Sequence, residues 1–433
     1  MMFNVIDYGA VGDGVTKDTA AIQRAIDECA VKGGTVMVPP GVYLTGSIYL
    51  RSNVELNIAQ GATLLGSPDL NDYNELDAYP QNFFSQKEGW SGKHLILAIE
   101  VDNVALTGKG TIDGNARSFF DTKPLYTGVI GWRDGFINAV DYKNCGRPGQ
   151  EIVFIESSNI RISDLQFKDM CCWSCFMHGC ENIQISGLRI SNNISYANTD
   201  GLDIDCCRNV TVSNCIIRTG DDAIAIRGVP AKLKDQSKIC ENITVSNCVF
   251  YVSADGMRIG VGTGTIRHVV VSNIVIEHSG VGLHLQNCYG PVSTGVSISD
   301  VSFSNIIIRN TPLPIMASSG TDNSIGYLKN VSFSSINILS EGQIVVAGFG
   351  KTRVSNVSFS DVYFECLPNM LDVSAYSGSA KMAVENAVFK IKSADNIRFS
   401  NVVVANNSIP TLASIDSANI SGEIKTVNGV CAG

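Results

Sequence analysis

Short stretches of alternating apolar and polar residues recur along most of the chain. Their common unit is asparagine, an apolar residue, a variable residue, a second apolar residue and serine. The unit begins at Asn159, Asn182, Asn209, Asn242, Asn330, Asn356 and Asn396, with variants at His268 and Asp300. Alternation with a period of two, rich in Val and Ile, is typical of β-strands. Most units follow one another after roughly 23 to 33 residues, a spacing at which repeats indicate a solenoid or a propeller.

The spacing and the scarcity of helical patterns favour one kind of solenoid. A leucine-rich repeat needs its Leu and Asn consensus, and a propeller blade needs four strands in about 40 residues. Two or three short strands per unit fit a parallel β-helix, in which stacked strands lie about 4.8 Å apart. The sequence therefore predicts an all-β fold, a single-stranded parallel β-helix, with residues 1–433 forming one domain.

Three regions depart from the repeat. Residues 18–27 have the pattern of a capped amphipathic helix, so residues 1–50 are expected to hold a short N-terminal capping helix and the first coil. Residues 70–98 and 115–150 lack the repeat and are rich in aromatic residues. Two interpretations stay open for these loops: they form the walls of a binding cleft, or they pack into small cores of their own.

Charge and hydropathy restrict the partners. The formal net charge of −9 argues against a nucleic-acid partner, which usually meets a basic face. It does not exclude an anionic sugar, because a few local cations can bind one. No stretch reaches the roughly 18 to 20 apolar residues of a membrane span, and Met1–Asn4 show no signal-peptide pattern. A monomer is expected, with a dimer left open.

The chain has 14 cysteines, and two of them, Cys172 and Cys175, have the spacing of a redox pair. Most others, such as Cys215 and Cys248, lie within apolar strand patterns, where a free thiol behaves as a small hydrophobe. A second CxxC pair and paired histidines are both missing from the sequence. We therefore expect buried thiols and no metal site.

Four segments align without gaps as successive coils: 199–205, 221–227, 254–260 and 280–286. Two apolar columns result, Leu202, Ile224, Met257 and Leu283, and Ile204, Ile226, Ile259 and Leu285. Asp203, Ala225, Arg258 and His284 lie between these columns and are expected on the opposite, outward face of the strands.

A third column contains Asp200, Asp222 and Asp255, with Asp221 beside it. Adjacent strands hold such carboxylates roughly 5 Å apart, where like charges raise at least one pKa. Glycoside hydrolysis needs this arrangement, because one carboxyl group donates a proton and another activates water. A calcium site or hydrogen-bonded turn aspartates is the alternative. Strict alternation would turn Asp222 toward the core, so a turn at Gly201, Ala223 and Gly256 must break the parity.

The sequence resembles the polygalacturonase family, glycoside hydrolase family 28. The resemblance covers most of the chain and rests on Phe3–Gly14, Pro39–Tyr43, Arg147-Pro148, Asn198-Thr199-Asp200 and Gly220-Asp221-Asp222. The first two motifs are shared with other pectin-degrading β-helix proteins, whereas the last two at this spacing are specific. The resemblance implies a right-handed β-helix, a polysaccharide substrate, no cofactor, and a secreted or periplasmic location.

The resemblance also implies roles for the aspartates. The family inverts the anomeric configuration in a single displacement. Asp221 resembles the general acid, Asp200 and Asp222 resemble the pair that activates water, and Asn198 resembles the residue that orients the site. An inverting enzyme is expected to hold its acid and base roughly 6.5 to 9.5 Å apart.

Two family motifs are altered. Where the family has His between two small residues, this chain has Asp255 between Ala and Gly, and where the family has Arg-Ile-Lys it has His284-Leu285-Gln286. The family uses that Arg-Ile-Lys motif to bind the galacturonate carboxylate. The candidate substrate-binding residues are therefore Asn198, Asp255, Arg258, Arg227, His284 and Gln286. We hypothesise that Arg258 or Arg227 contacts the sugar; alternatively, Arg258 forms a solvated ion pair with Asp255 or Asp203 that contributes little.

Three functions remain open from the sequence. The leading one is an inverting hydrolase of pectic polysaccharide with altered uronate specificity. The second is a β-helix polysaccharide lyase, in which the aspartates would hold calcium. The third is a non-catalytic glycan-binding β-helix.

Overall fold

The structure is a computed structural model. It describes residues 1–75, 91–127, 138–142, 146–231, 233–288, 294–319, 325–340, 342–348, 354–367, 387–405 and 411–427. These residues form two compact units. The N-terminal unit comprises the described parts of Met1–Tyr126, Asn138–Asp221 and Pro230–Lys238, and the C-terminal unit those of Thr127–Ile137, Asp222–Val229 and Ile239–Gly433.

Short strands dominate the first half of the chain. They are β1 (Met2–Asn4), β2 (Asp13–Lys17), β3 (Gly34–Val38), β4 (Gly41–Thr45), β5 (Ile48–Tyr49), β6 (Val54–Ile58), β7 (Ala62–Gly66), β8 (Ile96–Ile99), β9 (Asp102–Gly108), β10 (Thr111–Asp113), β11 (Phe120–Thr127), β12 (Asn138–Tyr142), β13 (Ile152–Ile155), β14 (Ser158–Ser163), β15 (Gln166–Lys168), β16 (Cys175–His178), β17 (Glu181–Ser186), β18 (Arg189–Ser191), β19 (Leu202–Asp205), β20 (Arg208–Ser213) and β21 (Ile216–Thr219). Among the described residues, one α-helix, α1 (Thr19–Lys32), and three 3₁₀ turns (Val5–Tyr8, Leu70–Asp72 and Ala116–Ser118) accompany them.

Longer strands follow in the second half. They are β22 (Ile224–Gly228), β23 (Cys240–Val252), β24 (Asp255–Gly262), β25 (Thr265–His278), β26 (Val281–Gln286), β27 (Ser297–Arg309), β28 (Leu313–Ser318), β29 (Leu328–Ser340), β30 (Ile344–Ala347), β31 (Val354–Cys366), β32 (Ala387–Ala405), β33 (Thr411–Ser421) and β34 (Ile424–Val427). Across the described residues, 32 of the strands join one sheet, and β11 and β12 form another.

Strand pairing in this sheet is parallel, and each strand pairs with its counterpart one coil later. Ile160 of β14 lies beside Ile183 of β17, which lies beside Val210 of β20. The predicted parallel β-helix is therefore confirmed. Whether residues 1–433 act as a single domain stays a prediction.

The asparagines that begin the repeat units have a structural reason. Asn159, Asn182 and Asn209 all adopt positive φ angles, 53°, 55° and 59°, in the left-handed region that Asn tolerates better than most residues. Their amides also form a ladder, in which Asn182 donates to Asn159 and Asn209 donates to Asn182 at 3.1 and 3.0 Å. The asparagine therefore recurs because each coil bends sharply between two strands at this position.

The interior of the C-terminal unit is built from stacked apolar side chains. Phe303, Phe333 and Phe359 occupy equivalent positions on β27, β29 and β31 and lie in register. Their rings stack at centroid distances of 5.2 and 5.0 Å. Such offset aromatic contacts add to the hydrophobic stabilisation of the coil stack.

The predicted N-terminal helix is confirmed as α1, which buries Ala21, Ile22, Ala25, Ile26 and Cys29. The Asp18 side chain makes no capping hydrogen bond to the helix that follows it. Its buried carboxylate instead accepts the N–H groups of Val11 and Gly12 at 2.7 and 3.0 Å, so it fixes the preceding turn.

Twelve cysteines in the described residues are buried thiols, Cys172 and Cys175 included. This confirms the expectation that these thiols pack as small hydrophobes. Within the described part of the chain, none of the helices has the length and apolar character required to cross a membrane.

Candidate active site

Three of the four aligned segments stack as predicted in the C-terminal unit. Neighbouring strands β22, β24 and β26 place Ile224, Met257 and Leu283 in one column, Ile226, Ile259 and Leu285 in a second, and Ala225, Arg258 and His284 between them. The fourth segment supplies β19 in the N-terminal unit, where Leu202 lies beside Cys175 of β16. The sequence alignment therefore gave the correct register for β22, β24 and β26.

The predicted break in alternation occurs at Gly256. A Cβ at this position would lie 2.9 Å from the side chain of Ile276, so the residue faces the apolar interior, as does the buried Met257 after it. Asp255 before it turns the other way and contacts His284. Because Gly256 and Met257 both face inward, the alternation is broken and Asp255 lies on the outward face.

The side chains on the outward face of these strands point away from the apolar core, but they are buried rather than exposed to solvent. Asp203 is 0% exposed and His284 is 4% exposed. Arg227 and Gln286 are also buried. Arg227 lies at an irregularity in the pairing of β22 with β24, between Ile226 and Gly228, whereas Gln286 lies beside Gly260. Charged side chains here need polar partners, because burial removes their hydration.

Asn198 connects the two specific motifs within the N-terminal unit. It adopts a left-handed conformation, with φ at 57°, and its N–H donates to Oδ2 of Asp221 at 2.9 Å. Its side-chain oxygen accepts a hydrogen bond from Arg147 at 3.1 Å. Arg147 also donates to the carbonyls of Cys171 and Ala197 at 2.7 and 2.8 Å.

Arg147 is thus a buried residue that holds the turn before Asp200, and sequence reasoning missed this role. The Arg147-Pro148 pair marked the family resemblance, but the residue fell in a stretch assigned to a loop. Its three acceptors come from distant parts of the chain, so spacing alone does not reveal them.

Thr199 and Gly220 complete the turn. The N–H of Gly220 donates to Thr199 Oγ1 at 3.0 Å, and that hydroxyl donates to the carbonyl of Tyr196 at 2.8 Å. A Cβ at position 220 would lie 2.1 Å from the Tyr196 oxygen, so only glycine fits. Both motifs therefore serve to place the aspartates that follow them.

The three aspartates predicted as catalytic lie together. Asp200 and Asp222 are buried and Asp221 is partly buried, and one carboxylate oxygen of each lies within 4.8 Å of the other two. These nearest oxygens are closer than the 6.5 to 9.5 Å expected between acid and base, a range that applies to whole carboxyl groups. One water molecule can hydrogen-bond to two oxygens this far apart, because each such bond is about 2.7–2.8 Å long.

Arg258 bridges two carboxylates. Its Nε lies 2.6 Å from Oδ2 of Asp222, and its Nη2 lies 2.8 Å from Oδ2 of Asp255. The expected pair with Asp255 exists, but its expected solvation is wrong, since the Arg258 side chain is only 11% exposed. Breaking a buried pair is far more costly than breaking a surface pair, because it leaves a charge uncompensated.

Asp255 extends this network to His284. Its N–H donates to Oδ1 of Asp222 at 3.0 Å, and its Oδ2 lies 2.6 Å from Nδ1 of His284. Burial acts to raise the pKa of Asp255, but its interactions with Arg258 and His284 outweigh burial and hold that pKa below its usual value. Asp255 is therefore an anion that joins Arg258 to His284.

The two loops expected as cleft walls are described in part, with residues 76–90, 128–137 and 143–145 outside the described ranges. Phe119 and Phe120 pack with Ala116 and Cys171 in a buried apolar cluster. Phe120 also stacks on Tyr196 at 4.0 Å. These two aromatic residues thus belong to a small core beside the Asn198 turn, and the cleft-wall role of the loops stays a prediction.

The parallel β-helix thus carries a cluster of three aspartates. The sequence profile of glycosyl hydrolases family 28 matches residues 35–365. The chain belongs to this family.

Two relatives are similar to this chain in sequence. The chain is 30% identical over 231 residues to a "Probable polygalacturonase" of Vitis vinifera, covering 52% of this chain and 44% of that one. It is 29% identical over 345 residues to an "Exo-poly-alpha-D-galacturonosidase" of Dickeya chrysanthemi, covering 71% and 55%. The chain thus spans about half the length of these relatives.

Two solved exopolygalacturonases share the fold. The structure from Yersinia enterocolitica superposes with a TM-score of 0.72 at 20% identity, over 98% of this chain and 78% of that one. The structure from Thermotoga maritima gives a TM-score of 0.61 at 20% identity, over 92% of each chain.

Proposed function

We propose that this protein hydrolyses glycosidic bonds of pectic polysaccharide with inversion at the anomeric carbon. The cluster of Asp200, Asp221 and Asp222 carries the proposal, because it supplies a proton donor and a water-activating pair within one small volume. The relatives named as polygalacturonases supply the substrate class.

Asp221 is proposed as the general acid. It is the least buried of the three aspartates, and its Oδ2 accepts the N–H of Asn198. A proton then resides on the other oxygen, Oδ1. There it can pass to the leaving glycosidic oxygen while the bond to the anomeric carbon breaks.

Asp222 is proposed to stay ionised through the reaction. Both of its oxygens already accept donors, Oδ1 from the N–H of Asp255 and Oδ2 from Arg258. Donors of this kind stabilise a carboxylate and weaken its tendency to take a proton. Asp222 and Asp200 together orient the attacking water, and Asp200 takes a proton from that water as its oxygen bonds to the anomeric carbon. The charge of the two carboxylates stabilises the positive anomeric carbon of the transition state.

Arg258 is therefore proposed as a positioning residue rather than a substrate ligand. Its Nε and Nη2 atoms are engaged by Asp222 and Asp255. Arg227 and Gln286 remain proposed substrate-binding residues, and Asn198 is proposed to orient Asp221. A secreted or periplasmic location, where pectic polysaccharide is met, and a monomeric state are part of the proposal.

A substrate screen with one variant tests the proposal. Homogalacturonan, rhamnogalacturonan and neutral glycans are incubated with the protein and with Asp221→Asn, and new reducing ends are measured. We expect hydrolysis of a pectic glycan and a rate loss of about 10²- to 10⁴-fold in Asp221→Asn, because the proton donor is removed. Asp7→Asn, a change at an exposed position, serves as the matched control.

The same screen separates the other functions. Three clustered carboxylates also form a donor set that suits calcium, as a lyase would require. We expect activity to survive a chelator and no unsaturated product to absorb in the ultraviolet. Chelator-sensitive release of an unsaturated product would contradict hydrolysis, and glycan binding with no turnover would indicate a binding protein.

A further inference from the structure

His284 carries a buried nitrogen that the site as described does not use. Its Nδ1 lies 2.6 Å from Asp255, whereas its Nε2 is buried and has no hydrogen-bond partner. The side chain is 5% exposed. A buried polar atom left unsatisfied destabilises the folded protein, and such atoms in native structures call for an explanation.

A continuous polar chain ties His284 to the proposed water-activating residue. It runs from Asp222 to Arg258 at 2.6 Å, from Arg258 to Asp255 at 2.8 Å, and from Asp255 to His284 at 2.6 Å. All four residues belong to the C-terminal unit. Arg258 and His284 occupy the same outward column on β24 and β26. A group bound at His284 Nε2 is thus one strand away from the residue that holds Asp222.

The charges along this chain do not favour an anion. Two carboxylates, Asp222 and Asp255, face one guanidinium, so the four groups sum to −1 with a neutral imidazole and to zero with a protonated one. Among these four groups, a ligand carboxylate at Nε2 would meet no excess positive charge, and it would lose its own hydration. A sugar hydroxyl avoids this cost, and it can donate to or accept from Nε2 in either protonation state.

A second unsatisfied group lies on the next strand. Ser318 of β28 is fully buried, lies beside Gln286 in register, and its Oγ has no hydrogen-bond partner. Met316, beside His284 in register, is an apolar neighbour on the same face. One hydrogen-bonding atom on each strand and a thioether beside His284 are the kinds of group that contact a pyranose ring, which has hydroxyl groups at its edge and an apolar C–H face.

We propose that His284, oriented by Asp255, binds a hydroxyl of a neutral sugar residue and selects against a uronate at that position, with Ser318 as a further contact. The inference rests on the proposed function for the identity of the ligand as a pectic glycan. It specifies the substrate as a chain in which a neutral sugar, rather than an unbroken run of uronates, occupies this part of the site.

Binding to an inactive variant tests the inference apart from catalysis. Isothermal titration with Asp221→Asn compares an oligogalacturonide with the same oligomer after reduction of its carboxyl groups to neutral galactose. We expect the carboxyl-reduced oligomer to bind at least about tenfold more tightly. Adding His284→Ala should weaken its binding by about tenfold, the effect of one lost hydrogen bond to a buried group. His268→Ala, at an exposed histidine on β25, should change nothing.

A cation at the same position supplies the converse test. His284→Arg should reverse the preference, because it adds a positive charge where a uronate carboxylate would lie. The inference would be overturned if Asp221→Asn bound the oligogalacturonide more tightly than the carboxyl-reduced oligomer, or bound neither oligomer. It would also be overturned if the affinities were the same in Asp221→Asn alone and after adding His284→Ala or His284→Arg. Hydrolysis of pectic glycans could still be observed in each case, so the proposed function would stand or fall separately.

Discussion

Glu151 shows how strongly single buried groups are constrained near the site. It is 0% exposed, and its Oε1 accepts the N–H of Cys171, a residue whose carbonyl also holds Arg147. Burial, the largest influence, raises the pKa of Glu151 to about 7. Folding therefore favours the protonated carboxyl group.

The raised pKa predicts a pH-dependent stability. Because folded Glu151 binds its proton more tightly than the unfolded chain does, the free energy of unfolding falls as the pH rises from about 4.5 toward 7. A shift of this size corresponds to about 3 kcal/mol. Glu151→Gln removes the titration, so we expect the variant to gain stability relative to the parent between pH 5 and pH 8.

Urea denaturation of parent and variant at several pH values checks this. The matched change Glu28→Gln, at an exposed position on α1, should give a difference that does not depend on pH. A constant difference for Glu151→Gln as well would show that Glu151 does not titrate in this range.

At the scale of elements, turns rather than strands place the aspartates. Gly220 lies directly before Asp221 and packs against the carbonyl of Tyr196. Its N–H donates a hydrogen bond to the Thr199 hydroxyl. Gly256 plays a comparable part for Asp255, by facing inward where alternation would otherwise continue. Because glycine has no side chain, Gly220 determines where Asp221 points, and Gly256 determines where Asp255 points.

Gly220→Ala tests this placement. Its Cβ would lie 2.1 Å from a backbone oxygen, so the turn must shift, at a cost of about 1–3 kcal/mol or more. We expect a melting temperature lower by several degrees and a loss of activity of more than about tenfold. Gly149→Ala is the control, because its nearest neighbour would be an ordinary 3.6 Å away. Equal activity in both variants would show that the turn does not position Asp221.

The sequence predicted the strands and their register well, but it predicted the burial and the contacts of their side chains less well. The Asn-based unit and the columns through Met257 and Leu283 are local patterns, and they gave the correct register. Burial of the outward face could not be predicted, since it depends on packing between distant segments. For the same reason the spacing of Arg258 from Asp222 did not reveal their ion pair, and Arg147 was missed.

At the scale of the whole molecule, strand stacking brings together residues that the chain separates. Ser174 donates to the carbonyl of Asp200 at 2.8 Å although the two residues are 26 positions apart in the sequence. Repeating this step puts acidic residues of successive coils side by side. The account of function depends on that proximity, because a lone carboxyl group cannot act as both acid and base in one step.

Proton NMR of the first product released from a pectic oligomer tests the single-displacement hydrolysis most directly. The account predicts that the new reducing end appears first with the anomeric configuration opposite to that of the cleaved linkage, and that Asp221→Asn slows its appearance without unfolding the protein. A product that first appears with the original configuration would contradict the account, because it would require a covalent glycosyl intermediate on one of the aspartates.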